Sequence, residues 1–264
     1  MAVGYNSAVR NRLLIVGLLI TVAVSSHAAP AANRLGLGFG LAYMELRDDL
    51  VVPLSFVGPH LSPLQISYNR RTDCDWLTVD GEIGLAPLFD RYGFLIAVFP
   101  LAGGGQYLTR IATDRAGGSI LLGAQTRWSM DANMAEYWDS EHNYWLTAIG
   151  LAPAVGYTRP VRQNQRLDAA LAITAAAFVS RPPLHRYTKN EPNDPGFLFA
   201  KCHENLRFAS LDKYQAVRLL VAWTRPLRKT DFTITYQGRF ARADWPRQVM
   251  VLEHSVNLSW GIRL

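Results

Sequence analysis

Residues 253–264 read Glu-His-Ser-Val-Asn-Leu-Ser-Trp-Gly-Ile-Arg-Leu. Val256, Leu258, Trp260, Ile262 and Leu264 are apolar, and Ser255, Asn257, Ser259, Gly261 and Arg263 between them are polar or small. Successive strand side chains point to opposite faces, so this alternation describes a strand with two chemically different sides.

The same period of two runs back through the chain. Leu35, Leu37, Phe39, Leu41 and Tyr43 alternate with glycines and Ala42. Leu64, Ile66 and Tyr68 form a second series, and Leu77, Val79, Ile83 and Leu85 a third. Ile120, Leu122 and Trp128 follow, then Trp145, Ile149, Leu151, Val155 and Tyr157. Leu167, Leu171, Ile173 and Val179, then Val217, Leu219, Val221 and Trp223, then Phe232, Ile234, Tyr236 and Phe240 complete the set. The opposite faces carry Gly, Ala, Ser, Thr, Gln and few charges, whereas the wet face of a soluble sandwich is usually rich in Lys and Glu. Aromatic residues fall near strand ends at Tyr43, Tyr68, Trp128, Trp145, Tyr157, Trp223 and Phe240. An apolar outer band with aromatic girdles and a polar interior is the pattern of a membrane-spanning barrel.

Composition agrees. Of the 264 residues, 49% are apolar and 18% charged, against roughly 25% charged in soluble domains. The net charge of +6 is scattered, which excludes a nucleic-acid footprint. Two cysteines exclude a disulfide-stapled mini-protein.

Arg10 and Arg12 precede an apolar run from Leu13 to Val24, followed by Ser26-His27-Ala28. Residues 1–28 read as a secretory signal peptide cut after Ala28, with Ala31 as the alternative. The run is shorter than the roughly 20 residues of a spanning helix. Residues 29–264 are then a single all-β domain: a transmembrane, antiparallel, up-and-down β-barrel of about ten strands, with eight or twelve as alternatives.

The expected strands are about 34–46, 61–71, 76–86, 94–111, 119–130, 144–158, 167–179, 214–225, 231–241 and 247–264. Short breaks near 70–75, 112–118, 159–166 and 225–230 read as periplasmic turns. Longer segments at 47–60, 86–93, 130–143, 180–213 and 241–247 read as extracellular loops. Cys74 falls in a turn and Cys202 in a loop, so no disulfide is expected between them.

The final strand resembles the C-terminal signal that the barrel-assembly machinery of Gram-negative bacteria reads, with Leu264 in place of the usual Phe. Val256, Leu258, Trp260, Ile262 and Leu264 carry that assembly signal. The stretch Leu37 to Pro53, with Gly123 to Tyr157 and Ser180-Arg181-Pro182-Pro183, resembles a group of uncharacterised outer-membrane barrel proteins. That resemblance implies fold and location and brings no catalytic residues.

Parity places Asp80, Glu82, Glu253, Arg127, Arg218 and Arg239 inside. In a narrow tube these charges are expected to pair and occlude the lumen; the alternative is a selectivity lining for small solutes. Asp139-Ser140-Glu141-His142 holds the residue types of a hydrolytic site, and Asp139, Ser140 and His142 are catalytic candidates. Ten-stranded outer-membrane proteases of the omptin type resemble this arrangement in architecture only. His254 falls on the lipid face and is a further candidate, but Ser255 faces the other way and the His-x-Ser spacing of lipid A deacylases is absent.

The loop 180–213 is read as a lid over the barrel mouth. Its basic residues, among them Arg181, Lys201 and Arg207, suit lipopolysaccharide phosphates. His185 and His203 are too few and too far apart to claim a metal, and no cofactor is expected. The expected partners are outer-membrane lipid, including lipopolysaccharide, and the assembly machinery. The leading reading is a structural or surface-interaction barrel in the outer membrane. A narrow channel and a rim hydrolase are the alternatives.

Overall fold

The computed structural model describes residues 32–50, 52–135, 142–161, 165–182 and 195–264. The signal-peptide reading lies outside the described residues.

Twelve strands occur among the described residues: β1 Ala32–Asp48, β2 Val52–Arg71, β3 Asp75–Phe89, β4 Leu95–Thr113, β5 Ser119–Ala135, β6 His142–Pro160, β7 Arg166–Ile173, β8 Ala176–Ser180, β9 Arg207–Ser210, β10 Tyr214–Pro226, β11 Thr230–Ala243 and β12 Val249–Arg263. One helix, α1 Pro195–Cys202, lies between β8 and β9. Pairing runs from β1 through β7 to β10, β11 and β12, and β12 closes on β1. The result is a closed antiparallel barrel of ten strands, with β8 and β9 as two extra strands beside β6. Closure leaves no free edge in the ten-strand ring, which is what hydrocarbon demands of a spanning sheet; β9 pairs on one side only, with β8.

The strands are staggered. Following partners once around, Ala32 leads through Arg71, Trp76, Leu108, Gly123, Ala154, Ala172, Arg218, Arg239 and Glu253 back to Met44, well up the same strand from Ala32. Such stagger tilts the strands roughly 35–45° and sets a narrow bore. Both described ends of the chain, Ala32 and Leu264, sit at one end with the connections 72–74, 114–118, 161–165 and 227–229. The other, loop end carries the connections 90–94 and 244–248 and the described residues Asp49, Leu50, Arg181 and Pro182.

The outer wall is apolar and exposed at Leu37, Leu41, Ile66, Ile83, Leu122, Leu151, Val256 and Trp260, among others. Near the turn end it carries Tyr68, Tyr107, Tyr157, Trp223 and Trp260.

Several strands exceed expectation. Residues 47–60 and 86–93 were expected as loops, yet β2 begins at Val52 and β3 continues to Phe89. The connections 49–51, 90–94 and 244–248 are short instead of long. A bilayer needs only about 9–11 tilted strand residues, whereas β2 has 20. The surplus projects at the loop end, where Glu45, Arg47 and Ser55 face outward. Pro100 and Gly103 to Gly105 do not break β4: the glycines pair on both sides, and Pro100 pairs with β5 while the β3 ladder skips Phe99 and Pro100. Pro100 does so as one residue of a continuous register, opposite Asp131.

Glycine matters most where backbones crowd. A Cβ on Gly123 would lie 2.0 Å from the Tyr107 carbonyl oxygen, an atom fixed in the β4–β5 ladder. Gly103 meets nothing closer than the Asp80 carbonyl at 3.4 Å. Gly123→Ala is therefore expected to destabilise the folded barrel by about 1–3 kcal/mol and Gly103→Ala to leave it near wild type. The temperature at which the folded band is lost in semi-native gel electrophoresis checks both.

Candidate functional site

The lumen is filled in layers from the turn end upward. At the turn end Asp231 binds Arg34 at 2.7 Å and Arg263 at 2.6 Å. Asp168 binds Arg71 at 2.9 Å and Arg166 at 2.8 Å, and accepts a 2.6 Å hydrogen bond from Thr158. The Arg71 guanidinium lies 3.9 Å from the centre of the Trp76 ring.

The middle layer brings together all six charges that parity places inside. Arg127 binds Asp80 at 2.8 Å and Glu82 at 2.5 Å. Arg218 approaches Asp80 at 3.6 Å and donates to Gln237 at 2.7 Å. Above them Arg239 approaches Glu253 at 3.5 Å. Its main partner is Asp131, reached by both guanidinium arms at 3.1 and 2.5 Å. Strand reading from sequence ended at residue 130 and so missed Asp131; β5 runs on to Ala135.

Glu253 also meets His60 Nδ1 at 3.1 Å, and His60 Nε2 lies 3.2 Å from the Ser62 hydroxyl. A hydroxyl, an imidazole and a carboxylate in that order recur in hydrolases. A nucleophile needs a face open to its substrate, however, and Ser62 is 3% exposed and His60 likewise 3%. Neither lines either of the two lumen cavities described below. Here the relay joins the charged layer to the apolar layer above it. Sequence parity missed both residues because the β2–β3 register shifts between Leu61 and Leu64, which turns residues 60 and 62 inward.

Above the charges the lumen is dry. Met44, Leu46, Phe56, Leu88, Ile96, Val98, Leu146, Val249 and Val251 pack into one buried cluster. Val179 belongs to it as well. It was expected on the lipid side, but an irregularity at Thr174–Ala175 separates β7 from β8. Ala172 pairs with Ala154 and Ala176 with Leu151, which shifts the alternation by one residue. Each large side chain in such a cluster contributes about 1.5–3 kcal/mol by leaving water. Across its top, Arg181 is fully buried, binds Asp48 at 2.6 Å and donates to the Arg247 carbonyl at 3.2 Å. The lumen is thus polar toward the turn end and sealed by an apolar plug and an ion pair at the loop end.

The lumen holds cavities between these side chains, two of which stand out among the described residues. One of about 150 Å³ lies in the turn-end half, lined by Arg34, Trp76, Asp80, Asp168 and Asp231 among others. The other, about 40 Å³, lies against Arg127, Tyr214 and Arg239.

The helical part of the long loop departs from expectation. α1 lies on the outer wall, while Arg181 at the start of the loop is buried across the top of the plug, and residues 183–194 lie outside the described residues. Cys202 of α1 packs with Met130 and Trp145, which point outward from β5 and β6. The Trp128 indole donates to His203 Nε2 at 2.8 Å, and His203 Nδ1 meets the Phe199 carbonyl at 2.7 Å. With one ring nitrogen accepting, the other carries the proton and donates. The Trp145 indole donates to Ser180, whose hydroxyl donates to the Glu204 carbonyl. Aromatic anchors on a membrane wall attract an apolar helix more readily than a sealed mouth does.

Of the catalytic candidates, Asp139 and Ser140 lie outside the described residues, as does the side chain of His142. His254 stands on the outer wall with Tyr236, their hydroxyl and Nδ1 2.7 Å apart, and Ser255 is buried inside. No group of three or more metal-ligating side chains occurs among the described residues. Cys74 and Cys202 are both free, the first in a turn and the second in α1.

No family model matches the chain, and no curated protein matches it. Solved structures do. The translocator domain of the autotransporter NalP from Neisseria meningitidis is similar at a TM-score of 0.50 and 8% identity, with 97% of each chain covered. The toluene transporter TbuX of Ralstonia pickettii matches at TM-score 0.35 and 9% identity, over 88% of this chain and 90% of that one. The outer membrane protease OmpT of Escherichia coli matches at 0.37 and 7%, over 89% and 96%. At these identities the likeness is one of fold: the chain has the fold of outer-membrane β-barrels.

Two outcomes follow. Arg239→Met strands Asp131, which is 2% exposed, and is expected to cost about 3–5 kcal/mol. Adding Asp131→Leu should recover much of that loss, as measured by urea unfolding of the reconstituted protein. Burial against Met130 and Trp145 pushes the Cys202 thiol up to about 12. At pH 8 a water-soluble maleimide should therefore label exposed Cys74 quickly and Cys202 slowly, read by mass spectrometry.

Proposed function

We propose that this protein is an occluded outer-membrane barrel of structural or surface-interaction type, whose exposed loop end meets its partners. The observation that carries the reading is the apolar plug capped by Arg181 and Asp48. A conducting lumen needs a continuous wet path, and buried Leu, Val, Ile, Met and Phe side chains fill this one where the strands project.

The location rests on the exposed apolar wall, on closure, and on the fold shared with outer-membrane proteins. The wall needs lipid, since soluble proteins seldom expose so continuous an apolar surface. The turn end then faces the periplasm, and Val256, Leu258, Trp260, Ile262 and Leu264 of the last strand offer themselves to the assembly machinery.

Lipopolysaccharide is the partner that suits the outer rim. Phe178, Phe199 and Phe208 are exposed there. Arg207 stacks 4.0 Å over Trp245. Aromatic rings with a neighbouring guanidinium fit an acyl chain beside an anionic headgroup.

Planar-bilayer recording tests the reading. The wild-type protein is expected to be silent. Phe56→Ala with Leu88→Ala, which empties the plug, should produce channel openings or raised leak. Large, stable wild-type channels would replace this reading with the channel alternative.

A further inference from the structure

The turn-end cavity changes its charge balance with depth. In its deeper layer two arginines, Arg127 and Arg218, meet two carboxylates, Asp80 and Glu82. In the layer nearest the turn end four arginines share two carboxylates. Asp231 takes Arg34 and Arg263, and Asp168 takes Arg71 and Arg166. Arg263 is the outermost, its side chain 41% exposed, so its charge is the best screened. The inner three still outnumber the carboxylates, and Arg166 repels both Arg34 and Arg71. Like charges gathered in a partly buried tube call for a counter-ion.

The four arginines differ in what they have left to give. Arg71 gives Nη1 to Thr158 and Nη2 to Asp168, and Arg263 gives Nε and Nη2 to Asp231. Arg34 and Arg166 meet their aspartates through Nε. Their Nη atoms hold no hydrogen bond to any described residue and are open to water, and both side chains line the cavity. Arg34 stands on β1 and Arg166 on β7, which are not neighbours in the sheet, so the two forks reach the cavity from separate walls.

A guanidinium fork matches two oxygens of a phosphate or a carboxylate. Two forks suit an ion with two oxygen pairs, and a surplus of up to two positive charges suits a dianion. The volume, about 150 Å³, leaves room for a small hydrated ion, since one water needs only about 10–15 Å³. We propose that this cavity binds a small doubly charged oxyanion, inorganic phosphate or a short dicarboxylate, held between the guanidinium groups of Arg34 and Arg166. The site goes beyond the occluded-barrel reading and does not depend on it. The plug closes the other end, so the ion enters and leaves at the turn end and is retained without being conducted.

Equilibrium dialysis of the purified, folded barrel in an uncharged detergent at pH 8, over a fixed chloride background, tests this with labelled inorganic phosphate and malonate as probes. One saturable site is expected for at least one of the two. Arg34→Gln and Arg166→Gln are each expected to weaken it about tenfold or more. Both variants leave the lumen braced, because Asp231 keeps Arg263 and Asp168 keeps Arg71. Arg166→Lys, which keeps the charge and loses the fork, should fall between Arg166→Gln and wild type. Lys229→Gln removes an exposed turn cation outside the cavity and should leave binding unchanged. Each variant is first required to show the heat-modifiable folded band. No saturable binding of either probe would overturn the proposal. So would binding that Arg34→Gln and Arg166→Gln leave intact, or that Lys229→Gln weakens as much as they do, since the attraction would then belong to the turn end as a whole. Failure here leaves a silent barrel silent, whereas channels in the bilayer assay would sink the occluded reading without touching this site.

Discussion

A ten-strand barrel has a bore about one layer of side chains wide, and whatever fills that bore must be matched atom by atom. Charge inside it is tolerated only with counter-charge, because an unpaired ion away from water costs several kcal/mol. The ladder of ion pairs follows from that constraint. Asp231 and Asp168 each gather two arginines, Arg127 gathers two carboxylates, and Arg239 links Asp131 to Glu253. The pairs of Arg34 with Asp231, Arg71 with Asp168, Arg127 with Asp80 and Glu82, and Arg239 with Asp131 tie strands that are not neighbours in the sheet, so they brace the tube across its diameter as well as filling it.

The same constraint accounts for the change of chemistry along the axis. Where the wall is lipid-facing outside, the interior is polar. Where the strands project past the lipid, the outer face is polar at Glu45 and Arg47 and the interior is an apolar core. In its loop-end part the molecule is built like a small soluble barrel. The His60 and Ser62 side chains lie at the boundary, joined to Glu253 below and packed close to Gly84 and Pro100. Sealing at this level separates the turn-end cavity from the loop end.

Much of this was legible from alternation, and its failures have local causes. Asp80, Glu82, Arg127, Arg218, Arg239 and Glu253 could be turned inward by counting because their strands keep a regular register around them. Counting fails across an irregularity. The shift between Leu61 and Leu64 hid His60 and Ser62, and the break at Thr174–Ala175 sent Val179 into the plug. Strand ends were read too short because polar residues such as Arg47, Asp48 and Asp131 look like loop when the outside is assumed to be lipid. The placement of α1 on the outer wall had no periodic signal at all; it depends on Trp128, Met130 and Trp145 meeting Cys202 and His203 from far along the chain.

The amino-acid sequence by itself determined the two-faced strands and the closed, lipid-facing architecture, because a period of two is a local property that each segment carries alone. The tertiary structure decided what the lumen is. Asp48 and Arg181 stand 133 residues apart, and Arg239 and Asp131 stand 108 apart. No local pattern links them. Their meeting depends on how many strands close the ring and how far the ring is staggered, and only the folded barrel sets those two quantities together.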